Sequence, residues 1–190
     1  QLFRMQSGSA TASFLRIGNS LTRLRGAANA AIRLALLRDC CHHLWLTGST
    51  AASVSLGEFG LELAKRSGRQ VDVRRFLSFL GVVSAELGDR GRGLEFHTSS
   101  LVLATSLQDR HGEFVSWSNL SVALVDSGLY SEGAECASRA LMLVSPEEEK
   151  ADDKRARVLN NTALALLLRG DIEQAEMCAS KAIALSSEPT

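Results

Sequence analysis

Residues 160–175 read NNTALALLLRGDIEQA, an apolar run that ends at Arg169, Gly170 and Asp171. Glycine ends a helix at little cost because it adopts the left-handed backbone conformation freely. An aspartate directly after it suits the start of a second helix, since its side chain caps free amide groups and its charge matches the helix dipole. The stretch therefore predicts two helices joined by a short turn at Gly170.

The same pattern recurs upstream, because glycines 48, 88, 128 and 170 are spaced by 40, 40 and 42 residues. Positions at a constant offset from these glycines share side-chain size. The residues seven before each glycine are small, namely Cys41, Gly81, Ser121 and Ala163. The residues twelve after each glycine are also small, namely Gly60, Ser100, Ala140 and Ala182. The residues eleven before each glycine are large and apolar, namely Leu37, Leu77, Trp117 and Leu159. So are the residues thirteen after each glycine, namely Leu61, Leu101, Leu141 and Ile183. Self-similarity with this period predicts an all-α solenoid of antiparallel helix pairs.

We expect one domain over residues 1–190, built from an N-terminal half-repeat and four helix-pair repeats. The half-repeat covers 1–25, and the pairs cover 27–66, 71–106, 112–144 and 150–186. The predicted helices are 10–24, 27–46, 51–66, 71–87, 91–106, 112–127, 131–144, 150–169 and 172–186. Gly57 and Gly60 fall inside one of them, where each costs about 1 kcal/mol of helix stability, so we expect that helix to be irregular.

The charge balance argues against a globally basic nucleic-acid-binding protein, because 21 basic and 21 acidic residues cancel. The distribution is uneven. Residues 1–38 carry six arginines and no acidic residue, whereas residues 126–190 carry 7 basic and 12 acidic residues. A head-to-tail contact between copies of the chain is one interpretation of this asymmetry, and ordinary solvated helix faces are the other.

The sequence favours a cytoplasmic protein that does not enter a membrane. No run of about 20 apolar residues predicts a membrane-spanning helix. The four cysteines, Cys40, Cys41, Cys136 and Cys178, do not form the pattern of a secreted disulfide framework. A reducing compartment is therefore the expectation.

Catalytic chemistry finds little support in the sequence. Residues 40–43 read CCHH, and both residue types bind zinc. Consecutive helical residues point about 100° apart, so Cys40 and His43 are the most that one metal ion could use. Residues 88–93, GDRGRG, follow no predicted strand and read as a turn between helices. We expect a protein without enzymatic activity or cofactor, and a metal or redox role for Cys40 and His43 stays open as an alternative.

The repeats resemble the tetratricopeptide-repeat family, most clearly over Leu77–Leu103, Trp117–Leu143 and Leu159–Leu185. The period of 40–42 residues is similar to the extended subclass found in kinesin light chains and bacterial regulatory proteins. The phrase LGD at 87–89 is similar to repeat regions that precede diguanylate cyclase or transcription-activator output domains. The resemblance implies a right-handed superhelix in which the first helices of successive repeats line a concave groove for a peptide or a partner helix.

The resemblance also implies which residues face that groove. We expect peptide contacts from Arg75, Ser78, Val82, Ser118, Asn119, Val122, Arg157, Asn160, Asn161 and Leu164. Asn119 and Asn161 occupy equivalent positions, and an amide both donates to and accepts from a peptide backbone. Val125 and Leu167 are expected to extend the apolar floor.

The predicted function is a protein- or peptide-binding module that regulates a larger bacterial signalling protein. A structural scaffold that associates through its ends, giving a homodimer, is the first alternative.

Overall fold

The computed structural model describes residues 27–148 and 150–187, which form eight α-helices and no β-strand within those ranges. The helices are α1 Ala27–Leu46, α2 Thr50–Arg66, α3 Gln70–Glu86, α4 Arg90–Ser106, α5 Arg110–Asp126, α6 Tyr130–Met142, α7 Ala151–Arg169 and α8 Ile172–Ser187. The predicted helices from 27 onward are confirmed with ends within two residues. The predicted half-repeat 1–25 and helix 10–24 lie outside the described residues.

The turns between helices use residues with a positive φ. Gly48, Gly88, Gly128 and Gly170 have φ values of 76°, 89°, 81° and 97°, which confirms their predicted place in equivalent turns. Two further turns have the same conformation at Gly68, with φ 65°, and at Gln108, with φ 53°. From residue 48 to residue 128 a turn therefore recurs every 20 residues, and the 40-residue period consists of two half-repeats of equal length.

Small residues meet where the two helices of a pair cross. In the first pair, Ser53 Oγ on α2 donates to the carbonyl of Cys41 on α1 at 2.9 Å. In the second pair, a Cβ added to Gly93 would lie 3.0 Å from the carbonyl oxygen of Gly81. The small residues seven before each turn are buried, and Cys41 and Gly81 lie at this crossing. Their partners lie five residues after each turn and are also small. This second set of equivalent small residues was not predicted from the sequence.

The small residues twelve after each turn are buried. Gly60 and Ser100 face the next repeat, and Ser100 Oγ also donates to the carbonyl of Arg74 on its own partner helix α3 at 3.4 Å. A Cβ on Gly60 of α2 would lie 2.4 Å from the ring of Phe76 on α3. Ser100 Oγ of α4 lies 2.8 Å from Ser116 Oγ of α5. The expected irregularity of α2 is also absent, because the helix runs from Thr50 to Arg66 without a break. Its glycines make room for large side chains of α3.

The interior is apolar at both ends of the described chain and polar between them. One buried apolar cluster joins α1, α2 and α3 around Phe76, and another joins α5, α6 and α7 around Phe114 and Val158. Between them, α4 meets α5 through the Ser100–Ser116 hydrogen bond. Two different chemistries therefore hold successive repeats together.

Candidate functional site

The first helices of the pairs pack side by side and form one face of the solenoid. Helix α3 contacts α1 and α5, and α5 contacts α7. A cavity of about 460 Å³ lies on this face, and the described residues that line it belong to α1, α3 and α5. Its walls are Arg38, Asp39, His42, Trp45, Arg74, Arg75, Ser78, Phe79, Val82, His111 and Val115. We call it the first cavity.

A second cavity of about 230 Å³ adjoins the first, because Val82 lines both. Its other walls are Ala85, Glu86, His97, Asn119, Val122, Ala123 and Asp126. All of these lie on α3 and α5 except His97, which comes from α4 behind them. The two cavities together are called the inner groove.

Five of the predicted peptide contacts lie in the inner groove. Arg75, Ser78 and Val82 line the first cavity, and Val82, Asn119 and Val122 line the second. These five therefore share one face, whereas Ser118 of α5, selected by the same spacing, is buried and is not among the residues that line either cavity. Their role in binding stays a prediction.

Asn119 already holds one structural bond. Its Nδ2 donates to Ser78 Oγ at 3.0 Å and so links α5 to α3. Ser78 is buried, and so is Ser118, whose Oγ has no hydrogen-bond partner within the described chain. The amide of Asn119 is thus oriented by the neighbouring repeat, and its oxygen remains the atom able to accept from a ligand.

The predicted contacts on α7 are separated from the inner groove. Arg157 and Asn160 line a third cavity of about 480 Å³ with residues of α8, among them Ala182 and Ile183. Asn161, at the position equivalent to Asn119, is half-buried. Asn160 thus lies on a different wall from Asn119, because one residue along a helix turns the side chain by about 100°.

Three apolar residues expected on the groove face, Leu164, Leu167 and Val125, differ in exposure. Leu164 and Leu167 are exposed. Val125 is buried, and a Cβ on Gly133 of α6 would lie 2.6 Å from its Cγ2. Val125 therefore packs against the partner helix of its own pair instead of forming the groove floor.

Aromatic rings line the first cavity. The rings of Trp45 and Phe79 meet edge to face with centroids 6.4 Å apart, and His42 lies 5.1 Å from Trp45. Trp45 Nε1 donates to Glu86 Oε2 at 2.5 Å. The large apolar surface of this cavity is therefore fixed by contacts between α1 and α3.

Carboxylates accompany the arginines of the first cavity. Arg74 is buried, and its Nε lies 2.9 Å from Asp109 Oδ2 in an ion pair that is not aligned as a hydrogen bond. Burial lowers the pKa of Arg74, and the charge of Asp109 opposes that change. Arg75 Nη1 lies 3.5 Å from Asp72 Oδ1, and Arg75 is exposed. Arg75 is therefore better placed than Arg74 to meet a ligand.

Three polar residues of the second cavity were not predicted as site residues. Glu86 and Asp126 are the last residues of α3 and α5, at equivalent positions two before the turn glycine. His97 is 2 % exposed, and burial lowers its pKa to about 4. The glycine at position 81 was the available signal for His97, because a Cβ there would lie 2.5 Å from the imidazole ring.

The CCHH run does not form a metal site with other residues. Within the described ranges, no three His, Cys, Asp or Glu residues are grouped so as to hold a metal ion. Cys41 is buried, and its thiol has a pKa raised to about 12. Desolvation is the larger cause, and the nearby Cys40 is the smaller one. Burial and then Asp39 raise the pKa of Cys40 as well. Raised thiol pKa values disfavour the thiolate that metal binding and redox chemistry require.

No described helix combines the length and apolar character needed to cross a membrane.

Comparison with known proteins identifies the fold. No family model matches the sequence, and no curated protein matches it. Solved structures do match. BtubC from P. vanneervenii has a TM-score of 0.78 at 15% identity, over 98% of this chain and 79% of that one. The chain has the fold of a tetratricopeptide-like solenoid. A putative kinesin light chain of Podosopora anserina with nearly identical TPR-like repeats gives 0.71 at 14% identity, over 97% and 89% of the two chains. The apo form of RapI gives 0.77 at 13% identity, over 97% and 66%.

Proposed function

We propose that this chain is a non-catalytic repeat module that binds a segment of another protein in the inner groove. The observation that carries the proposal is the pair of adjoining cavities on the first helices, which share Val82 as a common wall. Together they form a continuous surface on which apolar and aromatic side chains lie beside charged and polar ones. Such a surface suits a peptide or a helix that buries side chains while its polar groups find partners.

The two ends of the inner groove supply different kinds of contact. In the first cavity, Trp45 and Phe79 offer rigid aromatic surface, which costs little conformational entropy on binding. In the second cavity, Asn119 offers an amide that Ser78 holds in place. Prior orientation of both groups lowers the entropic cost of ordering the site when a ligand binds.

We extend the proposed surface to α7, where Asn161 is equivalent to Asn119 and Leu164 is exposed. Arg157 and Asn160 would meet a ligand that continues past this helix into the third cavity. Ser118, being buried, would act by supporting the neighbouring helices rather than by touching the ligand.

The setting of this module is also part of the proposal. We take residues 1–190 as one repeat domain that regulates a larger bacterial signalling protein, as the resemblance of its LGD phrase implies. The free state of the four cysteines is compatible with the reducing conditions of the cytoplasm.

A peptide selection tests the binding proposal. Peptides are selected from a random displayed library against the wild-type chain, and their dissociation constants are then measured for two variants. Val122→Asp places a charge on an exposed wall of the second cavity, whereas Val102→Asp places one on α4, outside both cavities. We expect binding about tenfold weaker or worse for the first variant and unchanged binding for the second. Equal loss in both variants, or in neither, would contradict the proposed site.

Self-association through the end of the solenoid is a second candidate function. Leu167 and Leu168 of α7 are 51% and 48% exposed, so they offer two adjacent apolar side chains to a second copy. Sedimentation velocity at increasing concentration should then show a dimer that Leu168→Lys abolishes. A monomer at every concentration would reject this candidate.

A further inference from the structure

The second cavity differs from the first in the charges that line it. Its walls include the carboxylates of Glu86 and Asp126 and no lysine or arginine among the described residues, whereas three arginines line the first cavity. Both carboxylates belong to the last residue of a helix. The carboxyl end of a helix carries a partial negative charge, so α3 and α5 add to the negative potential at this place.

A buried imidazole also lines this cavity. Among the residues that the structure describes, His97 Nδ1 has no hydrogen-bond partner, and the side chain is 2 % exposed. The ring fits against Gly81 of α3, where a Cβ would lie 2.6 Å from Nδ1. Burial lowers the pKa of His97 to about 4, so the ring is neutral at pH 7 and does not repel a cation. Buried polar atoms are normally paired, so an unpaired one at a cavity wall points to a ligand.

The remaining walls suit a long aliphatic stem. Val82, Ala85, Val122 and Ala123 are apolar, and they lie between the polar groups already named. The cavity volume of about 230 Å³ is several times the volume of one water molecule. An amphipathic side chain that buries its stem and presents a charge at its tip fits this combination.

We propose that the second cavity binds the side chain of an arginine supplied by the partner segment. This inference rests on the proposed function, because it names one feature of the segment that the inner groove would hold. The planar guanidinium has five donors and is weakly hydrated, which suits the carboxylates that two helices contribute to this cavity. Glu86 is held by Trp45 at one oxygen, which leaves its other oxygen for the guanidinium.

The probe for this proposal is N-acetyl-L-arginine amide, and the control probe is the corresponding citrulline amide, which is neutral and nearly the same shape. Each is titrated into the labelled chain at low ionic strength while the backbone amide signals of Ala85 and Ala123 are followed by NMR. Arginine amide should shift these signals in a saturable way, and citrulline amide should not. Equal shifts from both compounds, or shifts confined to residues of the first cavity, would overturn the proposal.

Two double variants establish the role of the carboxylates. Glu86→Gln with Asp126→Asn removes both charges, and the glutamine can still accept from Trp45. Glu132→Gln with Glu176→Gln removes two exposed charges outside the walls of the second cavity. The first double variant should weaken arginine amide binding about fivefold or more, and the second should leave it unchanged.

Thermal unfolding shows whether both variants remain folded, as expected for exposed positions. Unchanged arginine binding by the first variant would overturn the proposal. Library peptides that bind the inner groove without any basic residue would also overturn it, while leaving the proposed function in place.

Discussion

Two interfaces between successive repeats share one geometry and differ in chemistry. Where α2 meets α3, the first interface, the ring of Phe76 packs against Gly60 in an apolar cluster. Where α4 meets α5, the middle interface, the equivalent residues are Ser100 and Ser116, whose hydroxyls lie 2.8 Å apart. A repeated backbone therefore tolerates either a large–small apolar contact or a buried polar pair at equivalent positions.

The middle interface is also where polar groups reach the inner groove. His97 of α4 occupies the position equivalent to Gly57 of α2, and it extends to the wall of the second cavity. Asn119 of α5 lines the same cavity, and its amide donates to Ser78 Oγ of α3. The interface with the buried polar pair is thus also the one whose polar groups the proposed binding would use.

The largest expected difference between the interfaces concerns Phe76 and the equivalent Ser116. Phe76→Ala removes a ring that is 1% exposed, so it should lower the free energy of unfolding by about 3–5 kcal/mol. Ser116→Ala removes one hydroxyl partner and should cost only about 1 kcal/mol. Urea denaturation measures both values. Similar losses for the two variants would refute the contrast between the interfaces.

Acid should weaken the middle interface through His97. Its pKa is about 4 in the folded chain, against 6.5 for an exposed histidine, because burial disfavours the charged ring. Below pH 6.5 the unfolded chain binds a proton that the folded chain does not, so stability falls as the pH falls from 6.5 towards 4. Between pH 7 and pH 5 this histidine should account for a loss of about 2 kcal/mol.

The variant His97→Asn removes that contribution, and His111→Asn is the matched control. Burial also lowers the pKa of His111, but this side chain is exposed, so its removal should change the pH dependence much less. Urea denaturation at pH 5, 6 and 7 gives the slope of the free energy of unfolding against pH for each protein. A slope that is the same in wild type and His97→Asn would show that another group causes any acid sensitivity.

The hydroxyl pair of the middle interface should behave as a coupled unit. Ser100→Ala or Ser116→Ala alone leaves one buried hydroxyl without this partner and should cost about 1 kcal/mol. The double variant removes both polar groups, so it should be more stable than the sum of the single effects predicts, by about 1 kcal/mol. Additive losses in this cycle would mean that the two hydroxyls do not depend on each other.

The smallest expected effect lies in the turns that lead into the two interfaces. Gly68 precedes α3 and Gln108 precedes α5, both with a positive φ. Only glycine adopts that conformation without a steric cost, so Gln108→Gly should raise the free energy of unfolding by about 0.5–1 kcal/mol. Gly68→Ala should lower it by a similar amount. Melting temperatures that move in the opposite directions would contradict this assignment.

The sequence was sufficient for the helices, since glycine turns and residue size at fixed offsets identify a helical repeat without knowledge of its partners. It also assigned Arg75, Val82 and Asn119 to one face, and all three line the inner groove, because helical spacing sets which residues share a face. It did not reveal His97, whose role depends on the space left by Gly81 of another helix. It also grouped Asn160 with Asn119, although the rotation of about 100° between adjacent helical residues turns Asn160 towards the third cavity.

The most direct test of peptide binding in the inner groove is intermolecular NOE measurement on the chain bound to a library-selected peptide, with labelled valine and methionine methyl groups. The account predicts contacts from peptide protons to the methyls of Val82 and Val122, which line the cavities. It predicts none to the exposed Val102 of α4 or Met142 of α6. Contacts to Val102 and Met142, with none to Val82 and Val122, would show that the ligand binds the second helices and would contradict the proposal.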